Sequence, residues 1–122
     1  MQEIEHATLT YMKTSNLHLK TNPTLADIQQ YVKNLEIERG FIDQTVTQNC
    51  ILLVEEIGEL CKVIRKFHAG MSTDINKQYE FDAAGEIADI IIMLSAIANR
   101  MNVDMEQALR QKEEINKQRT WQ

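Results

Sequence analysis

The 122-residue chain is 43% hydrophobic with four glycines and one proline, a length and composition that indicate one small domain made mostly of helices. Its 18 acidic and 13 basic residues give a net charge of −5, which excludes binding of a nucleic-acid polymer through a basic face but allows one nucleotide with its cations. The spacing of Cys50 and Cys61 fits neither a disulfide framework nor a zinc site, and no apolar run is long enough for a membrane span, so we expect a cytoplasmic protein.

The predicted elements begin after an N-terminal extension. Residues 1–23 show no clear periodicity and are expected to be mobile, whereas residues 24–119 carry the helical patterns of the folded domain. Thr24 followed by Asp27 resembles a helix start, and Gly40 supplies the matching stop. We therefore predict a first helix from about residue 25 to residue 39.

Three more helices follow along the chain. The second is predicted from about Thr45 to His68, and the third from a point after Asp74, a possible cap, to about Met101. Asp104 with Gln107 indicates the start of a fourth helix that reaches roughly residue 118. The sequence thus predicts an antiparallel bundle of about four helices.

Four carboxylates interrupt the apolar stripes of the second and third helices. Residues three apart on a helix are neighbours, so Glu56 with Glu59 and Glu86 with Asp89 each form a pair. Antiparallel packing of the two helices would bring the pairs face to face. Ionised carboxylates in an apolar interior repel one another unless cations neutralise them, and oxygen ligands select a hard cation. We therefore predict a site for Mg²⁺, with Mn²⁺ as a substitute.

The third predicted helix is apolar nearly all round. From residue 83 to residue 98 its only ionisable side chains are Glu86 and Asp89, and a helix of this kind is usually buried. Because one small subunit covers only part of such a helix, the sequence predicts a homo-oligomer. It leaves open whether the assembly is a homodimer or a homotetramer.

Two sequence motifs resemble a known enzyme family. The segments 53–60 (Leu-Val-Glu-Glu-Ile-Gly-Glu-Leu) and 85–90 (Gly-Glu-Ile-Ala-Asp-Ile) are similar to the E-E-x-x-E and E-x-x-D motifs of MazG-like all-α NTP pyrophosphatases, near the dCTP pyrophosphatase type. The resemblance covers residues 24–119 and includes segment 38–41 (Glu-Arg-Gly-Phe) at the end of the first predicted helix. It implies Mg²⁺-dependent hydrolysis of a nucleoside triphosphate, with a deoxynucleotide favoured, between its α and β phosphates to a monophosphate and pyrophosphate.

The catalytic base and the substrate contacts are predicted less directly. Either Glu55 or Glu59 is expected to take a proton from the attacking water. On the fourth helix, three polar residues share an arc with apolar ones, and by this facing and the family resemblance they are candidate contacts to the triphosphate, sugar or base: Lys112, Asn116 and Arg119. Asn49 lies on the inward face of the second helix and either contacts a base or is a buried, satisfied amide.

Two alternatives to this function stay open at the level of sequence. The first is a non-catalytic helical dimer, an adaptor or a protein that binds nucleotide without cleaving it. The second is a phosphoribosyl-ATP or dUTP hydrolase with the same metal site and a different pocket. The sequence alone does not decide the preferred base, the sugar or the number of metal ions.

Overall fold

A computed structural model describes residues 14–67, 70–71 and 82–122, and within these ranges the protein is all-α, as predicted. The described residues form four helices: α1 (Leu25–Arg39), α2 (Val46–Phe67), α3 (Ala83–Arg100) and α4 (Met105–Asn116). None of them combines the length and the apolar character needed to cross a bilayer.

Local capping signals set both ends of α1. The Asp27 backbone N–H donates to the Thr24 hydroxyl at 3.1 Å, and the Thr24 backbone N–H donates to the Asp27 carboxylate at 2.8 Å, so a complete capping box begins the helix. The hydrogen bond from Thr24 also holds the pKa of Asp27 below its ordinary value. Gly40 ends the helix with a left-handed φ of 78°, which glycine adopts without steric cost. The predicted bounds of this helix are confirmed.

The other helices also begin at short polar side chains. Thr45 caps α2 by accepting from the Gln48 backbone N–H at 3.1 Å, and Asp104 caps α4 by accepting from the Gln107 backbone N–H at 3.0 Å. Helix α3 begins after Asp82, whose carboxylate accepts from the Gly85 backbone N–H at 2.7 Å. Each start satisfies backbone donors that would otherwise lack a partner. The predicted end at His68 and the predicted cap at Asp74 lie outside the described residues.

Helices α2 and α3 run antiparallel. The carbonyl of Gln44, just before α2, accepts a hydrogen bond from Arg100 at the end of α3, whereas Glu56 lies beside Glu86 near the start of α3. Sequence number therefore rises along one helix as it falls along the other. This arrangement brings the two predicted carboxylate pairs to the same level of the bundle.

Helix α1 supplies the core contact for α3. Val32 and Leu35 of α1 pack against Ala96 of α3 in one buried cluster. Helix α4 contacts α1, whereas the main neighbour of α2 is α3. Within the described chain α2 is therefore covered mostly from one side.

Residues 14–23, the described part of the predicted extension, lie against α1. Leu17 packs on the buried cluster, Ser15 donates its hydroxyl hydrogen to the Glu38 carboxylate at 3.0 Å, and Lys20 pairs with Asp27 at 3.1 Å. These contacts tie the segment to the helical domain at several points. The domain boundary at residue 23 stays a prediction.

Candidate metal centre

Three of the four predicted metal ligands meet between α2 and α3. Glu56 from α2 and Glu86 and Asp89 from α3 each place one carboxylate oxygen within 4.8 Å of the other two. Helical spacing produces this group, because Glu86 and Asp89 lie one turn apart on the same face while antiparallel packing supplies Glu56 from the opposite helix. We call these three residues the carboxylate triad.

The triad is electrostatically unfavourable without a cation. Glu56 and Glu86 are half-buried, and Asp89 is exposed. Burial is the main cause that raises the pKa of Glu56 above its ordinary value of 4.5, and the charge of Asp89, the contact with Glu86 and the charge of Glu59 raise it further. A raised pKa means that the folded protein favours the neutral, protonated form of the Glu56 carboxyl group. A bound cation relieves the same repulsion while all three groups stay ionised.

The remaining predicted acids lie on the solvent side of α2. The structure does not bring Glu59 into the triad: its side chain is 54% exposed, and its carboxylate lies 3.6 Å from the Lys62 ammonium group. Glu55 is exposed as well, as its position on the predicted helix face indicates. An exposed ion pair of this kind is worth only about 0–1 kcal/mol, so it holds Glu59 away from the triad only weakly.

A cavity of about 200 Å³ opens beside the triad. Glu56 and Asp89 form one part of its lining, and Asn49, which is 1% exposed, forms another. The Asn49 side-chain N–H donates to the Thr45 carbonyl at 3.1 Å, so this amide is fixed in the wall. Pockets that enclose a drug-sized ligand are usually about 300–1,000 Å³, so this cavity suits one part of a nucleotide.

The last residue of α1 and the loop that follows it contribute cavity residues that were not predicted from the sequence. Arg39, Phe41 and Gln44 line the cavity together with Glu56 and Asp89. In the sequence, the similarity of segment 38–41 to the MazG-like family pointed to this region, but it assigned no role to the residues. Loop residues lack helical periodicity, so no face could be assigned to them.

The three candidate residues of α4 stand apart from this cavity. Lys112, Asn116 and Arg119 are absent from its lining, and α4 buries none of its residues in the described chain. Within α4 only Met105 and Asn116 are half-buried, and both lie on the predicted arc, whereas the other residues of the helix are exposed. The Oδ1 atom of Asn116 is buried without a hydrogen-bond partner among the described residues. The substrate roles of all three residues stay predictions.

Comparison with known proteins gives a coarse functional signal. A protein of Salmonella phage PMBT28 named dATP/dGTP diphosphohydrolase is 29% identical to this chain over 99 residues, which are 81% of this chain and 28% of that protein. The chain thus spans less than a third of the length of this relative. No protein-family model matches the chain. The match supports a relationship to nucleotide hydrolases, whereas the MazG-like assignment stays a prediction.

The variant Glu56→Gln tests whether the triad carries uncompensated charge. Because the pKa of Glu56 is raised, the folded chain holds this proton more tightly than the unfolded chain, and stability falls as pH rises above 4.5. At neutral pH with a chelator, we expect the variant to melt a few degrees above the wild type, because one repelling charge is gone. Mg²⁺ should then stabilise the wild type more than the variant. Thermal unfolding followed by circular dichroism measures both effects.

The matched control is Glu106→Gln. Glu106 pairs with Arg110 at 3.6 Å on the exposed surface of α4, so its neutralisation should leave both melting temperatures nearly unchanged. A Glu56→Gln protein that melts below the wild type in chelator, with an undiminished response to Mg²⁺, would contradict the interpretation of the triad as a cation site.

Proposed function

We propose that the protein hydrolyses deoxynucleoside triphosphates in the presence of Mg²⁺, cleaving between the α and β phosphates to release a monophosphate and pyrophosphate. The single observation that carries the proposal is the carboxylate triad beside a cavity. The name of the phage relative supports a deoxynucleotide substrate. The resemblance of segments 53–60 and 85–90 to MazG-like enzymes indicates the position of the cleavage. Removal of unwanted nucleotides from the cellular pool is the corresponding role.

The geometry and chemistry of the triad fit Mg²⁺ or Mn²⁺. Ligand oxygens around one Mg²⁺ ion lie about 3 to 4 Å from one another, because each is about 2.1 Å from the ion. The triad oxygens already lie within 4.8 Å, so small side-chain rotations bring them to this spacing. Glu59 is the proposed fourth ligand. It lies one turn along α2 from Glu56 and is held elsewhere only by its exposed contact with Lys62.

Different groups are proposed for the remaining steps, which are charge stabilisation, proton transfer and contact with the nucleoside. The bound cation supplies the positive charge that stabilises the phosphate oxygens and makes the attacking water more acidic. Glu55 or Glu59, both exposed on α2, accepts the proton from that water as the water oxygen bonds to the α-phosphorus. The bond from this phosphorus to the bridging oxygen breaks, and pyrophosphate leaves. Asn49 in the cavity wall faces the nucleoside.

The α4 residues are proposed to bind the outer part of the substrate. Lys112 and Arg119 are exposed cations that suit a triphosphate, and the unpaired Asn116 Oδ1 is an acceptor for a sugar hydroxyl or a base amine. A contact of this kind affects substrate affinity more than the chemical step.

Product analysis with a panel of nucleotides tests the proposed reaction. The wild type should release pyrophosphate and a monophosphate from dATP or dGTP when Mg²⁺ is present, and chelation should stop the release. Glu56→Ala and Asp89→Ala should each lower the rate by at least about 100-fold, because each removes a proposed ligand of the cation. Glu106→Ala, on the outer surface of α4, should retain the wild-type rate.

The same panel separates the competing functions. Binding of nucleotide by the wild type without any product would favour the non-catalytic dimer and would contradict the proposal. Hydrolysis of dUTP or phosphoribosyl-ATP alone would agree with the proposed metal site but would contradict the proposed substrate class. A diphosphate with inorganic phosphate as the products would exclude cleavage between the α and β phosphates.

The proposed enzyme is a homo-oligomer assembled through α2 and α3. Among the described residues only five apolar side chains are buried, which is a small core for a chain of this length. Helix α2 leaves Val54 68% exposed and Ile57 43% exposed, and α3 leaves Ile87 49% exposed. We define the apolar face as the exposed large apolar residues of these two helices: Ile51, Val54, Ile57, Ile64, Phe67, Ile87, Ile91 and Leu94. Apolar surface of this extent marks an interaction site, and a second copy offers an identical face.

A charge placed on the apolar face should separate the subunits. Light scattering during size-exclusion chromatography should show a dimer or tetramer for the wild type and a smaller species for Ile57→Glu, because an interface cannot bury an unpaired charge cheaply. Ile37→Glu is the matched control, since Ile37 is 58% exposed on α1, outside the apolar face. A monomeric wild type, or equal assembly of both variants, would contradict the proposed interface.

A further inference from the structure

The guanidinium group of Arg100 connects three parts of the fold. Its Nε–H donates to the Gln44 carbonyl at 2.7 Å, and both terminal nitrogens donate to the Glu36 carboxylate. The terminal nitrogens also donate to the Phe41 carbonyl at 2.9 Å and to the Ala96 carbonyl at 3.1 Å. The Arg100 side chain is only 13% exposed and that of Glu36 only 5% exposed. The end of α3 is thereby joined to α1 and to the loop that follows it.

The loop held in this way forms a wall of the candidate site. Phe41 and Gln44 both line the cavity beside Glu56 and Asp89. Arg100 binds them through their backbone carbonyls, which leaves both side chains available to the cavity. The other hydrogen bonds of the loop are local, and they join Gly40 to Ile37, Phe41 to Glu36, Gln44 to Phe41, and Thr45 to Gln48 and Asn49. Loss of Arg100 therefore removes much of what fixes the position of the wall.

Arginine suits this task better than any other cation. Its planar group carries five N–H donors in a rigid fork, so one side chain binds a carboxylate with two bonds and still reaches three carbonyls. A lysine at the same position offers three donors on one atom and cannot span these acceptors. The ion pair also has an electrostatic effect on the cavity, because Glu36 is part of its lining. With its charge neutralised by Arg100, Glu36 adds little repulsion toward an anionic substrate.

We infer that Arg100 is a positioning residue for nucleotide binding, acting through Phe41 and Gln44 on the cavity wall beside Glu56 and Asp89. Arg100 itself forms no hydrogen bond or ion pair with either of those two carboxylates. Its effect therefore falls on the affinity for the nucleotide and leaves the affinity for the metal unchanged. The inference rests on the proposed function, because it takes the occupant of the cavity to be part of the nucleotide substrate.

The test compares Arg100→Lys with the wild type in the full chain. Steady-state kinetics with dATP and Mg²⁺ should show KM raised about tenfold, the usual effect of weakening hydrogen bonds of a charged group, with kcat within about twofold. Mn²⁺ binding without nucleotide, followed by electron paramagnetic resonance, should be unchanged. Hydrogen exchange of the backbone amides at residues 40–45 should be faster in the variant than in the wild type.

Two further variants complete the design. Arg110→Lys is the matched control, because among the described residues Arg110 makes a surface pair with Glu106, and the same substitution there should change none of the three measurements. Glu36→Gln keeps the shape of the partner side chain and removes the carboxylate charge that orients the Arg100 guanidinium group, so hydrogen exchange at residues 40–45 should be faster, as in Arg100→Lys. Circular dichroism establishes whether Arg100→Lys folds. If it does not fold, Glu36→Gln still tests the inference.

The outcomes distinguish the inference from the proposed function. With an active wild type, an unchanged KM in Arg100→Lys would overturn the positioning role, and so would unchanged hydrogen exchange at residues 40–45 in both Arg100→Lys and Glu36→Gln. Equal losses of Mn²⁺ affinity, kcat and nucleotide affinity would also overturn it, since a pair that only supports the fold affects all of them. A wild type that turns over no nucleotide would overturn the proposed function first, and the inference with it.

Discussion

The rest of this structure depends on one constraint, which is the electrostatic free energy needed to hold three carboxylates together between two helices. Glu56, Glu86 and Asp89 bring their oxygens within 4.8 Å, and burial together with neighbouring charge raises the pKa of Glu56. Leucine at these positions would pack α2 against α3 without repulsion. We expect this cluster to lower the stability of the protein without a cation, and in the proposed function a bound cation offsets that cost.

The remaining contacts place a cavity beside that charge. Helix α3 carries two triad carboxylates near its start and Arg100 at its end, so one helix positions the proposed metal ligands and also fixes the loop between α1 and α2. In the proposed function, different parts of the fold would therefore hold the cation and the nucleotide. The exposed apolar face of α2 and α3 extends the same reasoning to assembly, since the helices that carry the site leave eight large apolar side chains exposed in a single chain.

Local sequence signals predicted most of the fold and the centre of the site. Thr24, Gly40 and Asp104 each act through backbone groups within a few residues, so their caps follow from the sequence directly. The triad was also predictable, because helical spacing fixes which side chains share a face. Glu36 and Arg100 lie 64 positions apart in the sequence, and helical periodicity carries no information about a contact between residues so distant in the chain. The separation of Lys112, Asn116 and Arg119 from the cavity was harder to predict, because the helix pattern does not specify which neighbours α4 packs against.

The central claim is that the triad binds a divalent cation, and direct titration of Mn²⁺ into the nucleotide-free protein tests it. Electron paramagnetic resonance of free Mn²⁺ should show binding by the wild type that Mg²⁺ displaces. The same titration of a Glu86→Gln, Asp89→Asn double variant should show that this binding is lost, because two of the three ionised ligands are removed while the shape of the site is kept. Equal Mn²⁺ affinity in the wild type and the double variant would contradict the account.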